Sequence, residues 1–244
     1  MRLGVYIRGI SIAYGGSRAV AAKAKSAGLT FVPILVIWQD AGNTKLINTR
    51  QVEDYAEALH EAGVEPWIWG YPWVGKEQEF VDRIQWAKEI CRGRLRGVLI
   101  DPELGYQFKS SSESEARGGA ARLVNGLLNI LNESVSAGTT SYGAYHLQGR
   151  FPRDEFCLGF GSPQFYTAAD HEIVHGLACW RNLFGEIVPS IPAYGPNSGV
   201  NLKQYLGKIG PVDGYIFWSW PQMGEIEWSI ARDLAQDTGK KSST

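Results

Sequence analysis

The chain has 244 residues, 44% hydrophobic and 20% charged, enough for the core of one large α/β domain or two small ones. Its net charge of −1, with both signs interspersed, gives no field for nucleic acid or an anionic membrane, and no apolar run approaches the ~20 residues of a membrane span. The three cysteines, Cys91, Cys157 and Cys179, are far apart and odd in number, so free thiols are expected, with no zinc site and no cofactor.

The apolar stretch after Met1 is too short for a secretory leader and is interrupted by Arg8. A protein cytoplasmic as synthesised is expected; to act outside its host it would leave by lysis or through an accessory pore, unless a leader has been removed. Leu3 to Arg8 reads as a first strand and Gly9 to Gly16 as a loop. The Ala-rich Ser17 to Ala27 reads as a helix closed by Gly28. Phe31 to Trp38 is a nearly continuous apolar strand, as expected when both faces are buried. Asn48 and Gln51 have capping-box spacing before a helix from Thr49 to Ala62. Pro66 to Trp73 is a third strand, and Gln78 to Cys91 is helical, with Phe80, Val81, Ile84, Ala87 and Ile90 on one face. Val98 to Ile100 is the fourth strand, followed by a serine-rich loop from Ser110 to Ser114 and a helix from Glu115 to Ser134.

Ser141 to Leu147 reads as the fifth strand, Gln148 to Leu158 as irregular, and Gly161 to Tyr166 as the sixth strand. A helix from His171 to Phe184, a strand from Ile187 to Tyr194 and a helix from Leu202 to Ile209 follow. The strand Gly214 to Trp220 and the helix Glu225 to Ala235 close the pattern. Eight strands alternate with helical segments and no linker composition intervenes, which is the arithmetic of a single (β/α)8 TIM barrel over residues 1–236, with 237–244 as a polar, disordered tail. A doubly wound sheet would carry a G-x-G-x-x-G loop after its first strand, and Gly4, Gly9, Gly15 and Gly16 lack that spacing.

A barrel of this kind places its active site at the carboxyl ends of the strands. There the fourth strand ends in Asp101-Pro102-Glu103. In extended chain, residues i and i+2 face the same way, with Cα atoms roughly 6.5 Å apart. Two carboxylates so close cannot both ionise freely. One is then held protonated near neutral pH, as glycoside cleavage requires. The plainer alternative has Asp101 capping the next turn and Glu103 solvated. The other strand ends supply Tyr6, Gln39, Asp40, Tyr71, Tyr106, Tyr145, Gln164, Tyr166, Tyr194, Trp218 and Trp220 as candidate substrate contacts. Aromatics and uncharged hydrogen-bonders suit a sugar. Phosphate would call for several Arg or Lys. His171 and His175 have i, i+4 spacing with Glu172 beside the first, but no third ligand accompanies them, so no metal is expected.

Gly97-Val98-Leu99-Ile100-Asp101-Pro102-Glu103 resembles the end of the fourth-strand signature of family 18 chitinase-like barrels. Pro163-Gln164-Phe165-Tyr166 is similar to the sixth-strand segment of plant-type members, and Gly214 to Trp220 to their eighth strand. The Asp-x-Glu is equally similar to family 25 lysozymes. The matches cover about 20 residues, and the earlier acidic positions of the chitinase signature are Arg96 and Leu99. The lysozymes' first-strand Asp is Tyr6. The resemblance implies Glu103 as general acid/base and Asp101 as stabiliser of a reacting acetamido group or modulator of Glu103. It implies Gln164 and Tyr166 as binders of that group and Trp218 or Trp220 as floor of the sugar site. The implied partner is a polysaccharide containing N-acetylhexosamine, such as peptidoglycan or chitin. With no second carboxylate evident beyond Asp40 and Asp170, substrate-assisted cleavage is expected; Asp40 at ~6.5–9.5 Å from Glu103 would instead favour inversion. A non-catalytic carbohydrate-binding or structural barrel, such as part of a phage particle, is the alternative. Oligomeric state is not legible.

Overall fold

A computed structural model describes residues 1–9, 15–48, 51–103, 106, 111–131, 135–143, 151–166, 169–195 and 197–241. Its strands are β1 (Arg2–Val5), β2 (Phe31–Gln39), β3 (Thr44–Leu46), β4 (Glu65–Tyr71), β5 (Gly97–Ile100), β6 (Ser136–Tyr142), β7 (Phe160–Gln164), β8 (Ser190–Pro192) and β9 (Gly214–Trp218). Its helices are α1 (Ser17–Ser26), α2 (Val52–Glu61), α3 (Glu77–Ile90), α4 (Glu113–Ile130), α5 (Asp170–Arg181), α6 (Leu202–Ile209) and α7 (Glu225–Lys241). Eight strands pair in parallel in the order β1-β9-β8-β7-β6-β5-β4-β2, and β1 also pairs with β2, closing the sheet. The fold is a single (β/α)8 barrel. β3, which the sequence pattern does not reveal, adds antiparallel to the end of β2, pairing Trp38 with Lys45 and Gln39 with Thr44.

Several boundaries move, among them the starts of β6 and α2 and the end of α7. β6 starts at Ser136, five residues before the expected Ser141, because its small polar residues give no apolar run. Thr139 and Thr140 serve there by donating hydroxyls to the Phe156 and Ser162 carbonyls at 2.6 and 2.8 Å. α2 starts at Val52, with the expected start at Thr49 outside the described residues; Asn48 sits at φ 57°, its amide donates to the Leu35 carbonyl at 2.7 Å and its carbonyl accepts the Gln51 and Val52 N–H groups. α7 runs on to Lys241, past residue 236 where the barrel was expected to end.

Strand alternation divides the core in two. Outward residues such as Val5, Ile34, Ile68, Val98 and Phe217 pack under the helices, while Tyr6, Phe31, Leu35, Trp67, Trp69, Leu99, Phe160, Val188 and Ile216 fill the lumen. Glycines admit the large rings. A Cβ on Gly97 would lie 2.1 Å from the Trp67 indole, and one on Gly4 2.8 Å from Phe31. At the amino end of the barrel the Arg2 guanidinium covers Trp67 and Phe160, 5.4 and 5.2 Å from their centroids, and its Nε donates to Glu186 at 2.7 Å.

One irregularity shapes the opposite end. The β2–β4 register slips between Leu35 and Ile37. Val36 and Ile37 therefore both pack outward, and Trp38 turns into the lumen, where strict alternation from Phe31 and Leu35 would have sent it out. Bulges of this kind re-aim side chains beside sites.

Candidate active site

The Asp101–Glu103 segment is held by backbone contacts on both sides. The Asp101 N–H donates to the Gly70 carbonyl, and the Ser141 hydroxyl donates to the Pro102 carbonyl, each at 2.9 Å. Pro102 has no N–H to satisfy, so the chain continues extended past the end of β5 without an orphaned donor. Asp101 and Glu103 accordingly face one side, as their spacing predicts, and hydrogen-bond to each other. They are 4% and 7% exposed, which excludes the plainer expectation of a solvated Glu103.

Burial dominates their electrostatics. It pushes the Asp101 carboxyl well above the usual range, and the charge of Glu103 pushes it further. Burial raises Glu103 from 4.5 to about 7, against hydrogen bonds from Gln164, Asp101 and Tyr71 that favour its ionised form. The pair thus holds a shared proton to near neutrality. Gln164, inward at the end of β7, spans the site: its amide donates to Asp101 Oδ1 at 2.9 Å and to Thr140 Oγ1 at 3.4 Å.

Aromatic rings surround the pair. Trp218, the last residue of β9, packs edge-on against Tyr6 and Trp69 at 5.0 and 5.3 Å, and tilts against Tyr166 at 5.9 Å. Tyr166 lies 6.3 Å from Tyr194. Below them the Tyr6 hydroxyl shares a hydrogen bond with Ser190 at 3.1 Å, and Ser190 shares one with Ser162 at 2.9 Å. On the other flank Tyr71 stacks on Trp38, 4.4 Å between centroids and 13° between planes.

The structure therefore gathers Asp101, Glu103, Tyr6, Tyr71, Gln164, Tyr166, Tyr194 and Trp218. It adds Tyr142, missed because the fifth strand was placed too late. Tyr142 ends β6, is 39% exposed, and has its hydroxyl pushed up to about 12 by burial and then by the nearby Glu103 and Asp101. Tyr145 lies outside the described residues.

Four expected contacts are placed elsewhere. Trp220 packs on Trp228 at 4.9 Å in the layer between strands and helices. The chain turns after Trp218, at a cis Trp218–Ser219 peptide, into a short 3-10 helix from Trp220 to Gln222. Tyr106 is fully buried against Phe156, and burial first, then the charge of Glu77, holds its hydroxyl well above the usual range. Gln39 is fully buried, and its amide braces the segment after β4 by donating to the Lys76 carbonyl at 3.1 Å and accepting from the Trp73 N–H at 3.0 Å. Asp40 Oδ1 accepts the Gly42 and Asn43 N–H groups at 3.0 and 2.8 Å and closes the β2–β3 turn. Sequence position alone placed all four at strand ends; local turns decided which way they point.

Among the described residues no group of three or more His, Cys, Asp or Glu gathers to hold a metal, and no helix is long and apolar enough to cross a membrane. His175 instead contacts Cys179 on α5, at 3.7 Å.

Neither a protein-family model nor a curated protein sequence matches the chain. Solved structures do. A GH18 chitinase from Pseudoalteromonas aurantia is similar at TM-score 0.63 and 11% identity, over 97% of this chain and 99% of that one. The spore cortex-lytic enzyme SleL of Bacillus cereus is similar at TM-score 0.65 and 11% identity, over 94% and 73%. A tamarind chitinase-like lectin is similar at TM-score 0.57 and 12% identity, over 96% and 98%. At such identities the likeness is one of fold, a barrel that glycoside hydrolases and a lectin share.

Proposed function

We propose that the protein is a glycoside hydrolase acting on a polysaccharide that contains N-acetylhexosamine, of the peptidoglycan or chitin kind, with Glu103 as general acid/base. The observation that carries this reading is the buried, proton-sharing Asp101–Glu103 pair at the carboxyl end of β5, with Glu103 raised to about 7. A general acid works best with a pKa near the operating pH.

The chemistry follows from the pair. An acetamido N–H donating to Asp101 stabilises its carboxylate and leaves the shared proton on Glu103. Glu103 passes that proton to the glycosidic oxygen as the C1–O bond breaks. The acetamido carbonyl oxygen then bonds to C1 and takes the place of a protein nucleophile. The two remote carboxylates are engaged elsewhere, Asp40 in its own turn and Asp170 with Lys208 at 2.9 Å. Glu103, now ionised, removes a proton from the water that attacks C1, and the acetamido group is released. Tyr142 and Gln164 border the acetamido position, and Trp218 offers a face for the apolar side of a pyranose.

The test is turnover by wild type and Glu103→Gln on bacterial walls and on chitin oligomers. Cleavage slowed at least about a hundredfold by the substitution is expected; equal cleavage by both proteins removes Glu103 from the mechanism. A second reading, carbohydrate binding without cleavage, draws on Leu99. Where the chitinase-like signature has an acid, Leu99 is buried in the lumen among Trp67, Phe160 and their neighbours. Oligosaccharide retained uncleaved by wild type over long incubation would favour it.

A further inference from the structure

We propose that Arg8 is a specificity residue that reads a carboxylate on the bound glycan, so that the substrate is acidic and not neutral. The inference rests on the reading of the mouth as a glycan site and deepens it.

Arg8 follows β1 with the same parity as the inward Tyr6, at the carboxyl end of the barrel, and is exposed. Its guanidinium lies 5.1 Å from the Trp38 centroid. The bulge in β2 brings Trp38 into the lumen, Trp38 stacks on Tyr71, and Tyr71 bonds to Glu103. Arg8 is thus separated from the general acid by one pair of stacked rings, at the rim where the next sugar along a chain would lie.

A guanidinium laid over a ring has one face occupied and its N–H edge free, and that edge matches the two oxygens of a carboxylate. Two other stacked arginines have committed their edges. Arg2 Nε donates to Glu186, and Arg83, 3.5 Å over Trp86, donates to the Val36 and Ile47 carbonyls. Arg8 has no carboxylate partner among the described residues, and Asp40, the acid ending the neighbouring strand, is held by its own turn. The stack therefore orients Arg8, and no described residue takes up its donors. Asp101 and Glu103 disfavour an anion over the cleavage point, so a neutral acetamido sugar fits there and an acidic substituent fits beside Arg8. A carboxylate of either source, the lactyl ether of a muramic sugar or the stem peptide attached to it, has this chemistry.

The experiment is calorimetric titration of the Glu103→Gln protein, in which cleavage is expected to be slowed, with three glycans. One is a neutral N-acetylglucosamine tetramer. The second is a peptide-free strand with lactyl carboxylates. The third carries stem peptides amide-linked at that position, so that carboxylates remain only on the peptide. Added to this background, Arg8→Gln is expected to lower the affinity ratio of acidic to neutral glycan roughly two- to fivefold, the scale of an exposed charge pair. Arg8→Lys is expected to retain part of the ratio, and added salt to shrink it. A drop seen with the second glycan assigns the lactyl group; a drop seen only with the third assigns the peptide. Binding of all three with a ratio that Arg8→Gln does not move overturns the role of Arg8 alone. Binding of none removes the glycan reading, and this inference with it.

Discussion

At the floor of the lumen, Phe31, Trp67 and Phe160 interlock in the space that Gly4 and Gly97 leave open. At its mouth, the same strands bury Asp101, Glu103 and Gln164 in a hydrogen-bonded set. The floor follows close packing, in which each ring has neighbours on all sides and nothing polar is left unserved. The mouth keeps two acids away from water at a cost that the floor must offset. Stability and chemistry are thus separated along one axis by a few residues of strand.

Substitutions can break either end of this contrast. The largest expected effect is at the mouth: Glu103→Gln should lower kcat about 10²–10⁴-fold on a wall or chitin substrate, read from initial rates. Next, Trp67→Ala at the floor should lower stability by about 3–5 kcal/mol, read from denaturant unfolding, with the mouth's chemistry unchanged in whatever fraction stays folded. Third, Glu103→Gln should itself stabilise the protein, but only at higher pH. An acid whose pKa is higher folded than unfolded contributes most at low pH and loses that contribution as pH rises. For Glu103 the loss runs from about 4.5 to about 7 and amounts to about 3 kcal/mol above that range. Unfolding of both proteins at pH 4 and pH 8 checks it; a gain at pH 4 as large as at pH 8 would contradict the burial account. Fourth, Gly97→Ala forces a methyl into the Trp67 indole and should cost about 1–3 kcal/mol. Smallest, Tyr71→Phe removes a hydrogen bond that favours ionised Glu103. The alkaline limb of kcat/KM should move up, by on the order of half a pH unit.

The floor and the outer layer were legible because they depend on periodicity. Apolar strands and helix faces repeat, and glycines mark the helix ends. The acid pair was legible because residues i and i+2 share a face in any extended chain. What escaped depended on local departures from periodicity. The bulge at Leu35–Ile37 re-aims Trp38, and the one residue in the strand that hints at it, Pro33, lies before the slip and does not say which way Trp38 turns. β6 is built of Ser, Ala, Gly and Thr, whose hydroxyls do the work that apolar bulk does elsewhere, so its start and its Tyr142 were missed. Trp220, Tyr106, Gln39 and Asp40 sit at strand ends as expected, but each is claimed by a turn or a second layer.

The Arg2 cover at the amino end has a consequence for traffic. With its guanidinium over Trp67 and Phe160 and tethered to Glu186, the barrel is closed at that end. If the mouth takes a glycan as proposed, a long polymer would lie across the rim and not thread along the axis, and both products would leave by the end at which the chain entered.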